Sequence, residues 1–562
     1  MRWNLKSKPN SEKVQAIQSA LQVDEIIATL LVQRGIETFE QAKTFFRPTL
    51  QDLHNPYLMK DMDKAVARIE KAIANNENIL VFGDYDVDGT TAVSLVSSYL
   101  RSFYPNIATY IPDRYAEGYG ISYMGIDYAE DNDISLIIAL DCGIKSIAHV
   151  NYAKAKNIDF IICDHHRPGP VLPDAIAVLD PKREDCSYPY DELCGCGVGF
   201  KLIQALAENR KQTIDDLVLY LDLVATAIAA DIVPITGENR VLAKFGLEVI
   251  NCNPRPGIKA LVQNVKKKEL TITDVVFIVA PRINAAGRIK HGNEAVALLT
   301  EYDLEQAEQF ASEIEQHNSD RKELDKQITK EALLQIEENN EQNRFSTVVY
   351  QENWHKGVIG IVASRLVENY YRPTIVFTKS GEKLAASARS VKDFDVYNAL
   401  EACAEHLEQF GGHMYAAGMT LLEENYENFK NAFEKVVQET IHPDLLTPEI
   451  SYDAEIELAA INPKLIRLLK QFEPFGPENM TPVFYSKNLK DSGYAKAIGK
   501  EEEHLKAFIK QENSESFGAI GFGLGNKLDL VTNQKPFEAV YCLDENEFNG
   551  TVSLQLRLKD IR

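Results

Sequence analysis

Three aspartates stand at alternate positions in VFGDYDVDGTTA, residues 81 to 92: Asp84, Asp86 and Asp88. Carboxylates this close repel one another, so the pattern predicts a bound cation. The series Asp-x-Asp-x-Asp-Gly imitates the start of an EF-hand calcium loop, which requires a glutamate at its twelfth position. Leu95 occupies that position, and the preceding residues have the pattern of a strand rather than a helix. The sequence therefore excludes an EF-hand.

Three further strand ends carry side chains that bind metals. IIALDCG ends in Asp141, FIICDHH ends in Asp164, His165 and His166, and AIAADIVP supplies Asp231. Any one of these residues has an ordinary explanation as a turn former, a helix cap or a surface histidine. Four such sites in one α/β domain instead indicate a metal centre at the carboxyl ends of parallel strands.

The expected chemistry follows from the ligand types. Imidazole and carboxylate ligands together suit manganese and tolerate magnesium, cobalt or zinc. Two such ions about 3.5–4 Å apart, bridged by one carboxylate, hold and deprotonate a water for in-line attack on phosphorus. We therefore predict metal-assisted hydrolysis of a phosphoester, a reaction that needs no cysteine nucleophile.

The composition is that of a soluble globular protein, with 45% hydrophobic and 25% charged residues among 562. No apolar run approaches the roughly 20 residues of a membrane helix, and the N-terminus lacks the features of a signal peptide. Eight scattered cysteines suit a reducing cytoplasm, where we expect the protein to reside. Cys194 and Cys196 lack a second ligand pair for zinc, and we interpret them as small buried residues. The net charge of −23 argues against nucleic-acid binding unless basic residues gather in one cleft.

The elements that position these residues follow from the hydrophobic pattern. From residue 78, apolar runs alternate with helical segments, which predicts a parallel, doubly wound sheet. A long charged segment at 304–343 predicts a helix that connects two lobes, and a second α/β pattern comes after it. Short alternating runs towards the C-terminus predict a small β-barrel. The predicted domains are 1–50 (helical), 51–235 (catalytic), 236–340 (helical, with the long connecting helix), 341–442 (α/β) and 443–562 (β-barrel).

Several motifs resemble those of a known family. In order along the chain, DYDVDG, DCG, CDHH and AADIVP resemble the four motifs of the DHH phosphoesterases. Five further segments are similar to motifs of the RecJ family within them, the bacterial single-strand-specific 5′-to-3′ DNA exonucleases: PDRYAEGYGI, PRINAAGRI, WHKGVIGIVASRL, SARS and FGGHMYAAGM. The resemblance covers nearly the whole chain. It implies a DHH catalytic domain, a DHH-associated domain at 341–442 and a C-terminal OB-fold.

The resemblance also implies metal ligands. Six residues would bind two manganese ions, for which magnesium or cobalt could substitute: Asp84, Asp86, Asp88, Asp141, His165 and Asp231. Asp141 would bridge the ions, and Asp84 has the alternative role of orienting the site. His166 would contact the scissile phosphate, and Asp164 would hold a histidine ring in one tautomer.

DNA-binding residues are implied in the same way. Those that would contact phosphates are Arg114, Arg282, Ser387, Arg389, Gly411, Gly412 and His413. Among them, Arg114, Ser387 and Arg389 would form a pocket for the 5′-terminal phosphate, because the arginine fork pairs with phosphate oxygens. Arg282 would contact DNA near the active site. Tyr115 and Tyr119 would stack on bases, although packing is the commoner role of a tyrosine beside glycine.

A groove between the two lobes, wide enough for one strand, would explain single-strand selectivity, with NVKKKEL, Arg282, Arg288 and Lys290 along it. We therefore expect a monomeric exonuclease that degrades single-stranded DNA 5′ to 3′ to mononucleotides in recombination and repair. A single-stranded-DNA-binding protein and a helicase are the expected partners. The alternatives are a DHH hydrolase of short oligonucleotides or cyclic dinucleotides, and a non-catalytic DNA-binding scaffold.

Overall fold

A computed structural model of the chain describes residues 1–512, 514–533, 535–548 and 551–562. The chain forms two compact units, and each is described by itself. The first unit comprises residues 1–2, 113–118 and 281–448. The second comprises residues 3–112, 119–280 and 449–562.

Short helices follow the first strand, β1 (Arg2–Leu5). They are α1 (Ser11–Leu21), α2 (Glu25–Val32), α3 (Phe39–Phe46) and α4 (Met62–Ala74). Side chains of Asn10 and Thr38 accept backbone hydrogen bonds at the starts of α1 and α3, as N-caps do. The buried residues of α1 to α3 share one hydrophobic core with residues of the C-terminal strands.

A five-stranded parallel sheet follows and confirms the predicted doubly wound domain. Its strands are β2 (Asn78–Gly83), β3 (Ile107–Tyr110), β4 (Ile134–Leu140), β5 (Asp159–Cys163) and β6 (Ala177–Leu179), in the order β3-β2-β4-β5-β6. The helices between them are α5 (Val87–Arg101), α6 (Tyr123–Asp131) and α7 (Ile147–Ala155). Because all the strands run in one direction, the residues that follow them collect at one edge of the sheet.

A helical region continues the chain, as predicted. Its helices are α8 (Gly195–Asn209), α9 (Leu221–Ala230), α10 (Gly237–Cys252), α11 (Pro256–Val262), α12 (Ile272–Asp274), α13 (Ala280–Ile289) and α14 (Asn293–Thr300). Helices α8 and α9 are buried along almost their whole length, which suits their apolar composition. The predicted long helix is α15 (Leu304–Glu338), which lies in the first unit.

The second α/β domain contains a mixed sheet in the order β10-β11-β9-β8-β7. Its elements are β7 (Thr347–Tyr350), α16 (Ile359–Tyr370), β8 (Thr374–Ser380), β9 (Lys383–Arg389), α17 (Val396–Glu401), β10 (Gln409–His413), β11 (Ala416–Leu422) and α18 (Tyr426–Thr440). Helix α16 also packs on α15 through a separate core that includes Ile328, Ala332, Val362 and Leu366.

The C-terminal region is rich in strands, as the alternating pattern predicts. It contains β12 (Glu449–Tyr452), β13 (Ala454–Glu455), α19 (Pro463–Lys470), β14 (Phe484–Asp491), β15 (Lys496–Ile498), β16 (His504–Lys510), β17 (Phe517–Gly521), α20 (Leu528–Thr532), β18 (Phe537–Phe548) and β19 (Thr551–Ile561). Seven of the strands form one sheet in the order β13-β14-β18-β19-β17-β16-β15, and β14 also pairs with β16.

In the described part of the chain, no helix is both long enough and apolar enough to cross a membrane.

Candidate functional site

Predicted metal ligands converge at the carboxyl ends of the parallel strands. Asp141 directly follows β4, His165 lies just beyond β5, and Asp88 lies in the first turn of α5. His165 Nε2 is 3.2 Å from Asp141 Oδ1, 3.6 Å from Asp231 Oδ2 and 3.7 Å from Asp88 Oδ2. We call Asp88, Asp141, His165 and Asp231 the acidic cluster. It brings together four residues that are far apart in the sequence.

Asp231 reaches the acidic cluster from the end of a helix, as the mostly helical pattern of residues 196 to about 230 predicts, and only its grouping with the strand ends is wrong. Helix α9 ends at the preceding residue, and the Asp231 N–H donates to Ala227 O at 2.9 Å. Nearly every residue of α9 is buried. A helix buried on all sides has the same continuous apolar composition as a buried strand, so this run did not distinguish the two.

The start of α8 holds Asp88 in place. The Gly195 N–H donates to Asp88 Oδ2 at 2.6 Å, and the Cys196 N–H donates to Oδ1 at 2.7 Å. A Cβ atom on Gly195 would lie 2.5 Å from the Cβ of Asp141, so the close approach requires glycine. Sequence reasoning missed Gly195; the available signal was its place in the glycine-rich start of a helix. Cys194 and Cys196 are both buried.

Burial and mutual repulsion raise the pKa values of the clustered acids. Burial, followed by the charge of Asp86, raises the pKa of Asp88 to about 7, despite the two backbone hydrogen bonds that it accepts. Burial and the charge of Asp88 raise the pKa of Asp231 to about 8. Burial and the charge of Asp88 also raise the pKa of Asp141 well above its ordinary value. A cation bound among these carboxylates would relieve the repulsion.

The donor atoms fit a divalent cation. Asp141 Oδ1 is buried yet accepts no hydrogen bond from any residue that the structure describes. A buried acceptor without a partner is costly, and a metal ion would satisfy it. Burial lowers the pKa of His165 to about 3, so its imidazole is neutral and can donate a lone pair. Among the residues that the structure describes, two groups have the spacing of a metal site: Asp141 with His165 and His166, and Asp88 with His165 and Asp231.

Asp84 and Asp86 belong to neither of these two groups among the described residues. Asp84 is buried, and its Oδ1 accepts a hydrogen bond from the Gly120 N–H at 3.1 Å. Asp86 caps α5 by accepting from the Gly89 N–H at 3.0 Å. These contacts are compatible with the orienting role that was the alternative for Asp84. Direct metal binding by Asp84 and Asp86 stays a prediction.

Asp164 holds the ring of His166. Its Oδ1 lies 2.7 Å from His166 Nδ1, and its Oδ2 accepts from the Ile144 N–H at 2.9 Å. Burial disfavours the charged imidazole, but the hydrogen bond and the charge of Asp164 outweigh it and raise the pKa of His166 to about 9. The other ring nitrogen, Nε2, lies 3.1 Å from the hydroxyl of Tyr119. The His166 side chain is 35% exposed, so it can meet a ligand.

Positive charge collects in the first unit, in what we call the arginine cluster: Arg114, Arg288, Arg321 and Arg389. Burial, followed by the charges of the other three arginines, lowers the pKa of Arg288 to about 9. Arg288 Nη1 donates to Gly357 O at 3.0 Å, just before α16. Sequence reasoning placed Arg114 and Arg389 together and Arg288 elsewhere, and it missed Arg321. Guanidinium groups gathered in this way favour an anionic ligand.

Four of the phosphate-binding residues predicted on β9 and β10 share one face of the mixed sheet, whereas Gly412 lies in the row of Ala388, which faces the other side. In the register of β10, β11 and β9, Gly411 lies in the row of Ser387, and His413 lies in the row of Arg389. Residues in one row point to the same side of a sheet. Arg389 Nη1 donates to Ser387 Oγ at 3.0 Å, whereas Gly411, Gly412 and His413 are exposed on the edge strand.

Two other predicted contacts have protein partners. Arg282 Nε donates to Glu315 Oε2 at 2.5 Å. The Tyr115 hydroxyl donates to the carbonyl oxygen of Arg288, which ties the loop of Arg114 to α13. Neither contact tests whether Arg282 or Tyr115 binds DNA, so both DNA-binding roles stay predictions.

Comparison with known families assigns three parts of the chain. Residues 78–228 match the DHH family, N-terminal domain, residues 343–439 match the DHHA1 domain, and residues 452–560 match the RecJ OB domain. The parallel sheet and most of the acidic cluster lie in the first of these parts. The fold and the site thus define a DHH-family protein that also carries a DHHA1 and an OB domain.

Similarity to individual proteins shows to which family of DHH proteins the chain belongs. The chain is 36% identical to the single-stranded-DNA-specific exonuclease RecJ of Bacillus subtilis (strain 168) over 100% of the chain and 70% of that protein. It is 32% identical to the protein of the same name from Escherichia coli (strain K12), over 95% of both. The crystal structure of RecJ from Thermus thermophilus in complex with Mn²⁺ superposes with a TM-score of 0.85 at 26% identity, over 100% of this chain and 79% of that one. This chain belongs to the RecJ family.

Proposed function

We propose that this protein is a metal-dependent exonuclease that degrades single-stranded DNA from the 5′ end to mononucleotides, in recombination and DNA repair. The observation that carries the proposal is the acidic cluster, in which the buried residues Asp88, Asp141 and His165 meet the more exposed Asp231, in a member of the RecJ family. The DHHA1 and OB domains accompany it in the same chain. Three domains in this order are more than a small-substrate hydrolase of the DHH class needs.

The metal assignment has two levels. A divalent cation is supported by the ligand set of the acidic cluster and by the manganese in the Thermus thermophilus relative. We further assign two manganese ions, with magnesium or cobalt as substitutes, held by the acidic cluster together with Asp86 and, as the alternative to an orienting role, Asp84. When bound, the ions supply the Lewis acidity that activates water and polarises the phosphodiester.

The protein's own groups orient the substrate at this site. Because Asp164 occupies Nδ1 of His166, the Nε2 atom is left to donate to the scissile phosphate. The Tyr119 hydroxyl lies 3.1 Å from that Nε2. When the substrate binds, this hydroxyl would either move aside or contact the same phosphate oxygen as His166. The two backbone N–H groups at the start of α8 each donate to one oxygen of Asp88, and so they hold its carboxylate in place within the acidic cluster. Precise placement of these groups matters because small displacements are costly in catalysis.

The arginine cluster and the adjoining sheet face are assigned to the 5′-terminal phosphate. Arg114, Ser387 and Arg389 would bind its oxygens, and the exposed β10 segment of Gly411, Gly412 and His413 would contact the next phosphates. Arg389 is half-buried and already directed at Ser387, which favours a preformed pocket over one that assembles on binding. The OB domain would hold the strand further along. Arg282 as a DNA contact and Tyr115 and Tyr119 as base-stacking residues remain part of this proposal.

The test uses the purified full chain with Mn²⁺ and a single-stranded oligonucleotide labelled at one end and blocked at each end in turn. We expect mononucleotides from a free 5′ end, little cleavage of a duplex, and no cleavage by Asp141→Asn, whose side chain keeps its size but loses its charge. Cleavage restricted to fragments of a few nucleotides would instead support a hydrolase of short oligonucleotides. DNA binding without hydrolysis would support a scaffold.

The same preparation tests the remaining predictions about the protein's setting. Mass photometry would check the predicted monomer. Co-purification from a bacterial cytoplasm would check the association with a single-stranded-DNA-binding protein and a helicase.

A further inference from the structure

One residue beside the acidic cluster has a backbone conformation that its side chain disfavours. Ile232 directly follows Asp231, which ends α9, and its φ is 58°. In the part of the chain that the structure describes, it is the only β-branched residue with a positive φ. Branching at Cβ makes this left-handed region unfavourable, and glycine is the usual residue at this position after a helix. The backbone of Ile232 is therefore strained.

The side chain of Ile232 does not offset this strain by packing inside the protein. It is 63% exposed, whereas that of Val233, the next residue, is 7% exposed. Single exposed apolar residues are common on protein surfaces, but a β-branched residue in the left-handed region is rare. Strained residues concentrate where proteins bind or transform ligands. Strain and exposure at one residue together point to a contact with a ligand.

Hydrogen bonds fix the backbone on both sides of Ile232. The residue before it is tied to α9 through its own N–H. After it, the Pro234 carbonyl oxygen accepts from Asn239 Nδ2 at 3.0 Å, and the Ile235 N–H donates to Pro477 O at 2.9 Å. A strained conformation persists only where its surroundings hold it in this way. Ile232 is therefore presented to solvent from a rigid segment.

This segment lies where the acidic cluster opens to solvent. The side chain of Asp231 is 32% exposed, whereas those of the other three members are 8% exposed or less. A substrate therefore meets the acidic cluster from the side of Asp231. Consecutive Cα atoms are about 3.8 Å apart, so Ile232 adjoins the ligand at the opening.

We propose that Ile232 is a substrate-contacting residue that packs against the apolar face of a nucleobase next to the scissile phosphate. This inference rests on the proposed function. Every base has such a face, so the contact reads no sequence, which suits an enzyme that accepts each nucleotide in turn. Because the segment is rigid, the contact would hold the nucleotide at a fixed place relative to the acidic cluster.

The experiment measures kcat and KM with Mn²⁺ on a single-stranded oligonucleotide and on two versions of it, which lack the base of the first or the second nucleotide from the 5′ end. We expect Ile232→Gly to lower kcat/KM on the intact strand by about tenfold, mainly through KM, because an apolar contact is lost. On one of the two abasic strands, the wild type and Ile232→Gly should be equally active. Ile232→Leu keeps the apolar bulk and should retain most of the activity on the intact strand.

Stability and metal affinity separate a substrate contact from a structural role. Ile232→Gly relieves the strained backbone and should raise Tm by about 1–3 °C. Its affinity for Mn²⁺ in isothermal titration should equal that of the wild type, because hydrogen bonds hold the segment on both sides. Lys211→Gly is the matched control, since exposed Lys211 has the same position after α8 and a φ of 61°. It should also raise Tm and leave kcat/KM unchanged.

Several results would overturn the inference. An unchanged kcat/KM in Ile232→Gly would show that the side chain makes no contact with the substrate, and an equal loss on the intact and both abasic strands would show that it meets no base. A lower Tm or weaker Mn²⁺ binding would assign Ile232 a structural role. An equal loss of activity in Lys211→Gly would assign the effect to the added glycine.

Failure of the proposed function would be recognised separately. If the wild-type protein hydrolyses none of the strands, the proposed function fails, and fluorescence anisotropy with the intact and abasic strands then tests the base contact alone. Equal affinity of the wild type and Ile232→Gly for the intact strand would reject that contact.

Discussion

The acidic cluster and the arginine cluster contain charges of opposite sign and belong to different units of the chain. The first gathers Asp88, Asp141 and Asp231 around His165, and burial with mutual repulsion raises the pKa values of its acids. The second gathers four arginines, and burial with mutual repulsion lowers the pKa of Arg288. Both arrangements are unfavourable in isolation. Both clusters are compatible with the proposed ligands, a metal cation for the acidic cluster and a phosphate for the arginine cluster.

A third charged group shows what a structural arrangement looks like. Buried Arg68 is 2.7 Å from Glu77 Oε2 and 2.6 Å from Asp159 Oδ2, so positive and negative charges balance within the protein. In the acidic cluster the carboxylates repel one another, and in the arginine cluster the charges of three other arginines act on Arg288. A local group of arginines can attract an anion even though the whole chain carries a net charge of −23.

The largest effect should come from neutralising one member of the acidic cluster. Asp141→Asn should lower kcat by about 10³-fold or more, because the metal-dependent step loses a central ligand. Asparagine tolerates the left-handed backbone of Asp141, whose φ is 58°, so the variant should fold. Isothermal titration with Mn²⁺ and a single-turnover assay measure the two losses. Binding of a 5′-phosphorylated strand should persist, and its disappearance would show that the two clusters are not independent.

A smaller loss should follow from disturbing the support of the acidic cluster. Gly195→Ala places a methyl group where 2.5 Å separates it from Asp141 Cβ, and we expect kcat to fall by about 10²-fold. Gly197→Ala is the matched control, because the nearest atoms that a Cβ there meets are those of Leu193, at 3.4 Å. Equal activity of the two variants would contradict the role given to Gly195. Thermal denaturation would separate misplacement from unfolding.

Weakening the contact between Asp164 and His166 should lower kcat by less than the Gly195 substitution does. Asp164→Asn removes the charge from the acceptor of His166 Nδ1 and should lower kcat by roughly 10- to 100-fold, the usual effect of losing such a partner. The KM for phosphorylated DNA should stay close to that of the wild type, because the arginine cluster is intact. Steady-state kinetics on one oligonucleotide measures both values. A change in KM alone would place Asp164 outside the reacting centre.

The hydroxyl of Tyr115 distinguishes anchoring from base stacking. Tyr115→Phe removes the hydrogen bond to Arg288 O and should lower the free energy of unfolding by about 1 kcal/mol. It should also raise KM for the phosphorylated strand slightly, since the loop that carries Arg114 is less well held. Stacking needs only the ring, so full stability and unchanged KM in Tyr115→Phe would favour stacking. Urea denaturation and steady-state kinetics provide the two measurements.

A substitution in the group of Arg68, Glu77 and Asp159 should have the smallest effect, which is on the free energy of unfolding and depends on pH. Burial favours neutral Glu77, but hydrogen bonds from Ser135, Asn75 and Arg68 outweigh it and hold its pKa at about 2. This depressed pKa contributes stability above the ordinary value near 4.5, and the contribution is lost as the pH falls through about 2. Glu77→Gln should therefore cost about 1 kcal/mol or less at neutral pH and nothing near pH 2. Urea denaturation across this pH range measures the difference in stability between the wild type and Glu77→Gln. A difference that increased as the pH fell would contradict the prediction.

The sequence predicted much of the fold because its signals are local. Apolar runs alternating with helical segments predicted the parallel sheet, and the charged amphipathic segment predicted α15. Grouping Asp231 with the strand ends was wrong, because a helix buried on every side has the same continuous apolar composition as a buried strand.

What the sequence by itself determined is the chemistry of the acidic cluster: Asp141 and His165 directly follow strands that run in parallel, so short motifs were enough to bring them to one edge. Only the tertiary structure decided that α8 supplies backbone donors to Asp88, that α9 delivers Asp231, and that the charges of three arginines from separate segments act on Arg288. The reason is physical. Strand direction places neighbouring motifs by local geometry, whereas contacts between distant helices and loops depend on how whole elements pack, which no short stretch of sequence specifies.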